Sequence, residues 1–357
     1  MSRVVLSGYY GFNNLGDDAV LAATVDALRA RRPDVEIAVL SGAPQATGRA
    51  FDVEGVPRAG LRDLVRVLRR CDLFLSGGGS LFQDVTSWRS PWYYLGVLAL
   101  ARRLGCRTAV YAQGIGPLRG RAIRSAARRQ LNGVDLITLR DRESLSVLAA
   151  LGVDRPPAVL AGDPALLLAP EWSARVLAEM SQWGEGVHLG LALRPWQNDA
   201  WLDAVTTAAR TVVERCGARW ICLAMQRPGD LDLAERAAAS IGSGARVVRT
   251  LLNPREMLAL VSGLTLVVGM RLHALVFAAT QGVPLVSLTY DPKVGAFARE
   301  LGEPFLDPGR LDAPALVGMI REALAGAEQR RARVLAAVAP LRARAALAPN
   351  LAAQMVS

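Results

Sequence analysis

Arg271 and His273 stand two residues apart in "GMRLHALVFAATQGVPLVSLTYDPKV" (residues 269–294), and Lys293 in the same stretch is the only lysine among 42 basic residues. A guanidinium can capture a carboxylate or phosphate with two parallel hydrogen bonds. An imidazole exchanges protons near neutral pH. An ammonium offers a compact charge with rotatable donors. The run "LTLVVG" reads as a strand and Gly269–Met270 as a turn. Residues 271–281 then read as a helix, with Leu272, Leu275, Val276 and Ala279 at helical spacing. Arg271 and His273 therefore fall at the amino end of a helix, where the dipole and free N–H groups favour anions. His188, the other histidine, opens a strand and reads as structural.

Other strand ends carry groups able to hold an anion or a hydroxyl. "LFLSGGGSLFQD" sets Gly77, Gly78, Gly79 and Ser80 directly after an apolar run, with Asp84 just beyond. Three consecutive glycines lose much backbone entropy on folding, so close approach of a ligand is the preferred explanation. "YAQGIGPL" repeats the design with Gln113 as a side-chain handle. "LRDRESL" and "LALRPW" place Arg140 and Arg194 at strand ends. Each reads either as a surface ion pair worth about 0–1 kcal/mol or as a guanidinium facing a bound carboxylate or phosphate. "GYYGFNNLGDDAVLAA" departs from both common phosphate-loop spacings. Its helix start already carries Asp17 and Asp18. A plain turn with acidic capping, and a sugar-binding loop using Asn13, Asn14 and Asp17, both remain open.

Positioning these groups requires a scaffold that delivers many strand ends to one edge. Short apolar runs alternate with helical-period segments along the chain, the grammar of parallel sheets covered on both faces. At 357 residues the chain has room for two such units. The expected fold is α/β, with two Rossmann-like domains whose parallel sheets face each other across a cleft. The expected bounds are 1–168 and 187–325, with 168–186 as linker and 326–357 as a C-terminal helical tail. Ligands in such sheets bind outside the carboxyl ends of the strands.

The formal charge of +10 admits nucleic acid, anionic lipid or anionic small molecules. The arginines read as scattered over helix faces without aromatic interleaving, which argues against nucleic acid and for anionic lipid or a phosphorylated substrate. Cys71, Cys106, Cys216 and Cys222 lack metal-type spacing and read as buried free thiols of a cytoplasmic protein. The start "MSRVVLSGYYG" lacks a secretion pattern. Residues 261–289 are too interrupted to cross a membrane.

"GYYGFNNLGDDAVL", "GGGSLFQD", "YAQGIGPL", "LRDRESL", "GDPALLL" and above all "GMRLHALVFAATQGVPLVSLTYDPKV" occur in order over residues 4–305. Together they resemble the polysaccharide pyruvyltransferase family, in particular its cell-surface-anchoring branch. The resemblance implies a fold similar to GT-B glycosyltransferases, with the acceptor on the N-terminal side and the donor on the C-terminal side. It implies transfer of pyruvate from phosphoenolpyruvate to a sugar as a ketal, without cofactor or metal. The implied acceptor is a lipid-linked glycan containing N-acetylmannosamine, whose product anchors surface-layer proteins. The family's donor-site arginines and histidine fall on Arg140, Arg271 and His273, with His273 as candidate general acid or base. Asn13 and Asp18 stand where the family pattern has Gly and Glu. The competing expectations are a nucleotide-sugar glycosyltransferase of the same architecture and a non-catalytic glycan- or phosphate-binding protein.

Overall fold

The computed structural model describes residues 2–85, 87–197 and 200–356. The chain forms two compact units, one running to Leu167 and resumed from Leu341 onward, the other Leu168–Pro340. Among the described residues, the first unit contains β1 (Arg3–Tyr10), α1 (Leu15–Arg31), β2 (Glu36–Ser41), α2 (Pro44–Phe51), β3 (Glu54–Pro57), α3 (Leu61–Leu68), β4 (Leu73–Gly77), α4 (Arg89–Arg103), β5 (Arg107–Gln113), α5 (Arg121–Leu131), β6 (Leu136–Leu139), α6 (Arg142–Leu151) and β7 (Ala158–Leu160). The second contains α7 (Ala174–Met180), β8 (His188–Ala192), α8 (Ala200–Cys216), β9 (Arg219–Cys222), α9 (Gly229–Ile241), β10 (Ala245–Val247), α10 (Pro254–Ser262), β11 (Leu266–Gly269), α11 (Leu272–Thr280), β12 (Leu285–Leu288), α12 (Pro292–Leu301), β13 (Phe305–Leu306) and α13 (Ala313–Ala325). The division at Pro340 falls inside α14 (Ala327–Ala345), and α15 (Leu347–Met355) completes the chain's helices.

Every strand pairing is parallel, in the orders β3-β2-β1-β4-β5-β6-β7 and β10-β9-β8-β11-β12-β13. Helices cover both faces of the first sheet, so its central strands are apolar throughout: Val4, Val5, Leu73, Phe74 and Leu75 are all buried. One face packs under α3, α4 and α5 and shares a core with Leu64, Leu98 and Ile123. The other packs Leu6, Val39 and Leu75 under α1, through Leu21 and Leu28.

The region expected to be a linker holds α7, capped by Ser173, whose oxygen accepts the Val176 N–H. Arg175 of this helix forks onto the buried Glu256 at 2.8 and 2.9 Å. The C-terminal segment is helical and packs on the first unit. Ala348, Ala352 and Val356 join the α1 core, and Arg31 donates to the Asn350 side chain. Three cysteines are buried as expected, but Cys216 is exposed at the end of α8. No helix among the described residues is long and apolar enough to cross a membrane.

Ala352→Asp is expected to place a carboxylate in the α1 core and destabilise the first unit by about 2–4 kcal/mol. Urea unfolding should show that unit's transition moving to lower denaturant while the second unit's stays in place.

Candidate active site

In each sheet the winding direction reverses beside the first strand, between β1 and β4 and between β8 and β11. Loops diverge there and leave the carboxyl edge open. The residues singled out from the sequence gather at these two edges.

At the second unit's edge, Arg271 is the N-cap of α11 and His273 follows in its first turn. The N-cap side chain makes no capping hydrogen bond, since a guanidinium has no acceptor to offer. The first-turn amides keep their partial positive charge. Arg271 Nε donates to Asp230 Oδ2 at 2.8 Å, and Nη2 donates to Asp230 Oδ1 at 2.5 Å and Gln226 Oε1 at 3.1 Å. Asp230 is fully buried and its Oδ2 also accepts the Gln226 N–H at 2.9 Å. This clamp, built from the segment after β9, lies 41 residues from Arg271 in sequence and was not read from it. Its signal was Asp230 itself, two residues after Pro228 in "QRPGD".

Arg194, following β8, donates Nη1 to Tyr290 Oη at 2.7 Å and lies over the Tyr290 ring at 4.5 Å from its centroid. Lys293 sits in the first turn of α12. Its N–H donates to the N-cap Asp291 at 3.1 Å, and its Nζ lies 3.4 Å from Asp291 Oδ2. The adjacent strands β8, β11 and β12 thus deliver three cations and an imidazole to one edge, all half-buried. His188 packs on Trp183 with ring centroids 5.2 Å apart.

At the first unit's edge the glycines are required by the protein's own packing. A Cβ on Gly77 would meet the Tyr111 carbonyl oxygen at 2.2 Å, and one on Gly79 would meet Asp17 Oδ1 at 2.8 Å. Gly78 and Gly79 also have φ of +84° and +85°. Gln113 is fully buried. With its amide oriented to satisfy both ends, it donates to Ser76 O at 3.2 Å and accepts from Leu81 N at 2.6 Å. It is therefore an internal clasp rather than a handle for ligand. Asp84 Oδ2 accepts the Arg119 N–H at 2.7 Å and the Gly120 N–H at 3.3 Å, shaping the entry to α5.

Arg140 is buried. Its Nη2 donates to Ser80 Oγ at 3.0 Å, its Nη1 lies 3.4 Å from Asp163 Oδ2, and its Nε lies 3.8 Å from Asp141 Oδ2. These loose pairs contrast with the tight fork on Arg271. Asn13 adopts φ +53°, a left-handed conformation that asparagine tolerates, which accounts for its standing where the family pattern has glycine. Asn14 is the N-cap of α1, its Oδ1 accepting the Gly16 N–H at 3.0 Å. Asp17 is buried beside the glycine loop.

Asp18, which the sequence reading passed over as a site residue, is pushed up to about 7 by burial and by the neighbouring Asp17 charge, against the Gly11 N–H that holds it down. A carboxyl that titrates near neutrality can take a proton from a hydroxyl. Tyr9 stacks on Phe12 beside it in sequence, ring centroids 4.3 Å apart, and Arg58 lies over Phe12 and Tyr93.

Residues 14–292 match the family described as polysaccharide pyruvyl transferase. The sequence has no match among curated proteins. Solved structures of similar fold include HepE from Anabaena in complex with UDP-glucose, at TM-score 0.65 and 12% identity, covering 100% of this chain and 98% of that one. UDP-GlcNAc 2-epimerase from Neisseria meningitidis bound to UDP-GlcNAc aligns at TM-score 0.63 and 8% identity, covering 99% of both chains. A glycosyltransferase from Rickettsia africae aligns at TM-score 0.64 and 7% identity, covering 100% and 99%. These likenesses establish the fold as the GT-B type.

Two outcomes follow from the edge electrostatics. The raised Asp18 means that the folded protein holds this proton more tightly than the unfolded chain. Its stabilising contribution is full below about pH 4 and is lost as pH rises through about 7. Asp18→Asn should remove that dependence, raising stability at pH 8 relative to pH 5 by about 1–2 kcal/mol after allowance for solvent screening of a half-buried group. Denaturant titrations at the two pH values measure it. Asp230→Ala should leave Arg271 without its buried partner and destabilise the second unit by about 3 kcal/mol, read in the same titrations.

Proposed function

This chain belongs to the polysaccharide pyruvyl transferase family, and from that premise we propose that it moves the pyruvyl group of phosphoenolpyruvate onto two hydroxyls of one sugar as a ketal. The observation that carries the reading is the second unit's edge. Arg194, Arg271 and Lys293 follow the adjacent strands β8, β11 and β12, and Arg271 heads a helix turn that lacks a side-chain cap, with His273 in that turn. A donor bearing both a carboxylate and a phosphate needs such a set of fixed cations and amides. Arg140, with loose pairs that can yield to a better anion, is the cation of the first unit's edge.

In the reaction His273 delivers a proton to the methylene carbon of phosphoenolpyruvate, making it a methyl group. A sugar hydroxyl bonds to the adjacent carbon, which gains cationic character as that proton arrives. A second hydroxyl then bonds to the same carbon as the C–O bond to phosphate breaks. Of the two hydroxyl protons, one replaces the proton given by His273 and the other, taken first by Asp18, leaves with phosphate. The first unit supplies the acceptor side: Asp18 takes a hydroxyl proton, Asp17 holds the charge that tunes it, and Asn14, Ser80 and the Gly77–Gly79 loop line the edge where the sugar binds. The acceptor we assign is N-acetylmannosamine in a lipid-linked cell-wall glycan, and the ketal would serve to anchor surface-layer proteins.

The test incubates the protein with phosphoenolpyruvate and a lipid-linked N-acetylmannosaminyl disaccharide, following phosphate and acceptor mass. Expected is one pyruvyl ketal per phosphate released. His273→Ala should lower kcat by about 10²–10⁴-fold with donor affinity nearly unchanged. Arg271→Ala should weaken donor binding by about 10–100-fold. Full turnover in His273→Ala would remove the proton-transfer role. Failure to bind phosphoenolpyruvate at all would overturn the assignment of the donor.

A further inference from the structure

The first unit concentrates its charge. Residues 61–131 hold thirteen arginines against three aspartates and no glutamate, a net +10 equal to that of the whole chain. This stretch builds α3, α4 and α5, which pack side by side on one face of the seven-stranded sheet, with Leu64, Leu98, Ile123 and Ala127 in one core beneath them. The arginines lie on the solvent side. Arg62, Arg66 and Arg69 follow at helical spacing along α3 and are exposed, as are Arg102 and Arg103 of α4 and Arg128 and Arg129 of α5. Asp63, paired with Arg66 at 2.6 Å, is the one acidic residue in these three helices.

Large apolar side chains of the same stretch are exposed as well. Leu61 and Trp88 are each 67% exposed, Val85 54% and Trp92 43%. Leu61 and Val65 line an open groove of about 550 Å³ together with Arg62, Arg66, Arg69 and Arg70. Tyr93 Oη donates to Arg58 O at 2.9 Å, tying the segment before α3 to the second turn of α4. The helix that carries Trp92, with Trp88 at its N-cap, is thus joined to the segment that leads into Leu61. The amino ends of α3 and α4 follow β3 and β4, so the apolar group lies at the carboxyl edge of the sheet.

Water favours the arginines but not the exposed tryptophans, and a polynucleotide backbone would engage the arginines without using Leu61 or Val85. A lipid interface accommodates both: arginine against anionic headgroups, and tryptophan and leucine at the boundary of the acyl chains. We propose that the α3–α4–α5 face docks on an anionic lipid bilayer, with Leu61, Trp88 and Trp92 as its anchors. The docking goes beyond the pyruvyl transfer reaction and does not depend on it.

Co-sedimentation of the full chain with vesicles tests this. The protein should bind phosphatidylcholine vesicles containing about a third phosphatidylglycerol and should not bind phosphatidylcholine alone. Binding should weaken by about tenfold or more at high salt, where charge interactions are screened. The triple change Arg62→Glu, Arg66→Glu and Arg69→Glu should lose about as much at low salt. Trp88→Ser with Trp92→Ser should weaken binding several-fold at either salt concentration. Arg331→Glu with Arg333→Glu, on exposed positions of α14, should leave binding intact. Circular dichroism checks that each variant is folded, and the tryptophan pair keeps the test decisive if the charge-reversed protein is not. Wild-type binding by both face variants would overturn the proposal, as would equal loss in the α14 variant. So would tighter binding of duplex DNA through the same arginines, indifferent to the tryptophans. Pyruvyl transfer to a soluble acceptor, read in parallel, should be unchanged in the face variants, so failure of docking and failure of the reaction are separable.

Discussion

At β1/β4 and again at β8/β11 the chain leaves neighbouring parallel strands in opposite directions, so the loops that follow diverge and the carboxyl edge opens between them. The site residues depend on that constraint. Gly77 ends β4 and Arg140 follows β6. Arg194, Arg271 and the Tyr290–Lys293 turn do the same in the second sheet. No one segment of the chain could bring either set of groups to the edge of its sheet. Because neighbouring strands run about 4.8 Å apart, groups at their ends can act on one small anion or one sugar ring.

The two edges solve the problem of holding charge differently. Arg271 is fixed by a buried carboxylate through two hydrogen bonds, so it loses little side-chain freedom on meeting a ligand. The same pairing offsets part of its charge. Arg194 is held by a neutral phenol and its ring, which orient the guanidinium while leaving its charge intact. Combining the two gives a positive edge that is both ordered and net cationic, and the uncapped turn of α11 adds to it. Lys293 joins through a carboxylate that serves its N–H and its ammonium alike.

Much of this was legible in the sequence because parallel strands buried on both faces are unbroken apolar runs. "VVL" in β1 and "LFL" in β4 can hardly be read otherwise. The bounds of α6 and α10 follow from residues that cap them, Asp141 and the reciprocal Asn253–Glu256 pair. Elements without such signals were missed. α2 contains Gly48, and β3 is a four-residue edge strand ending in Pro57. α7 owes its place to the long-range Arg175–Glu256 pair, which no local pattern announces. The triple glycine stands out in the sequence, but what packs against it does not. Its cause is the Tyr111 carbonyl and the Asp17 carboxylate, groups that only the sheet brings near.

The residues that local pattern could not reveal are also the ones that set the polarity of each edge. Asp18 acquires its proton affinity from burial next to Asp17, so the first unit's edge presents acids able to accept protons. The second unit's edge presents cations, its most buried carboxylate, Asp230, being committed to Arg271. A doubly charged donor approaching Asp17 and Asp18 meets repulsion, whereas at Arg194, Arg271 and Lys293 it meets attraction in a partly desolvated setting, where charge interactions are strongest. A neutral sugar is indifferent to that field but has protons to give. The distribution of charge therefore favours one assignment of substrates to edges over its reverse, independently of any likeness to other proteins.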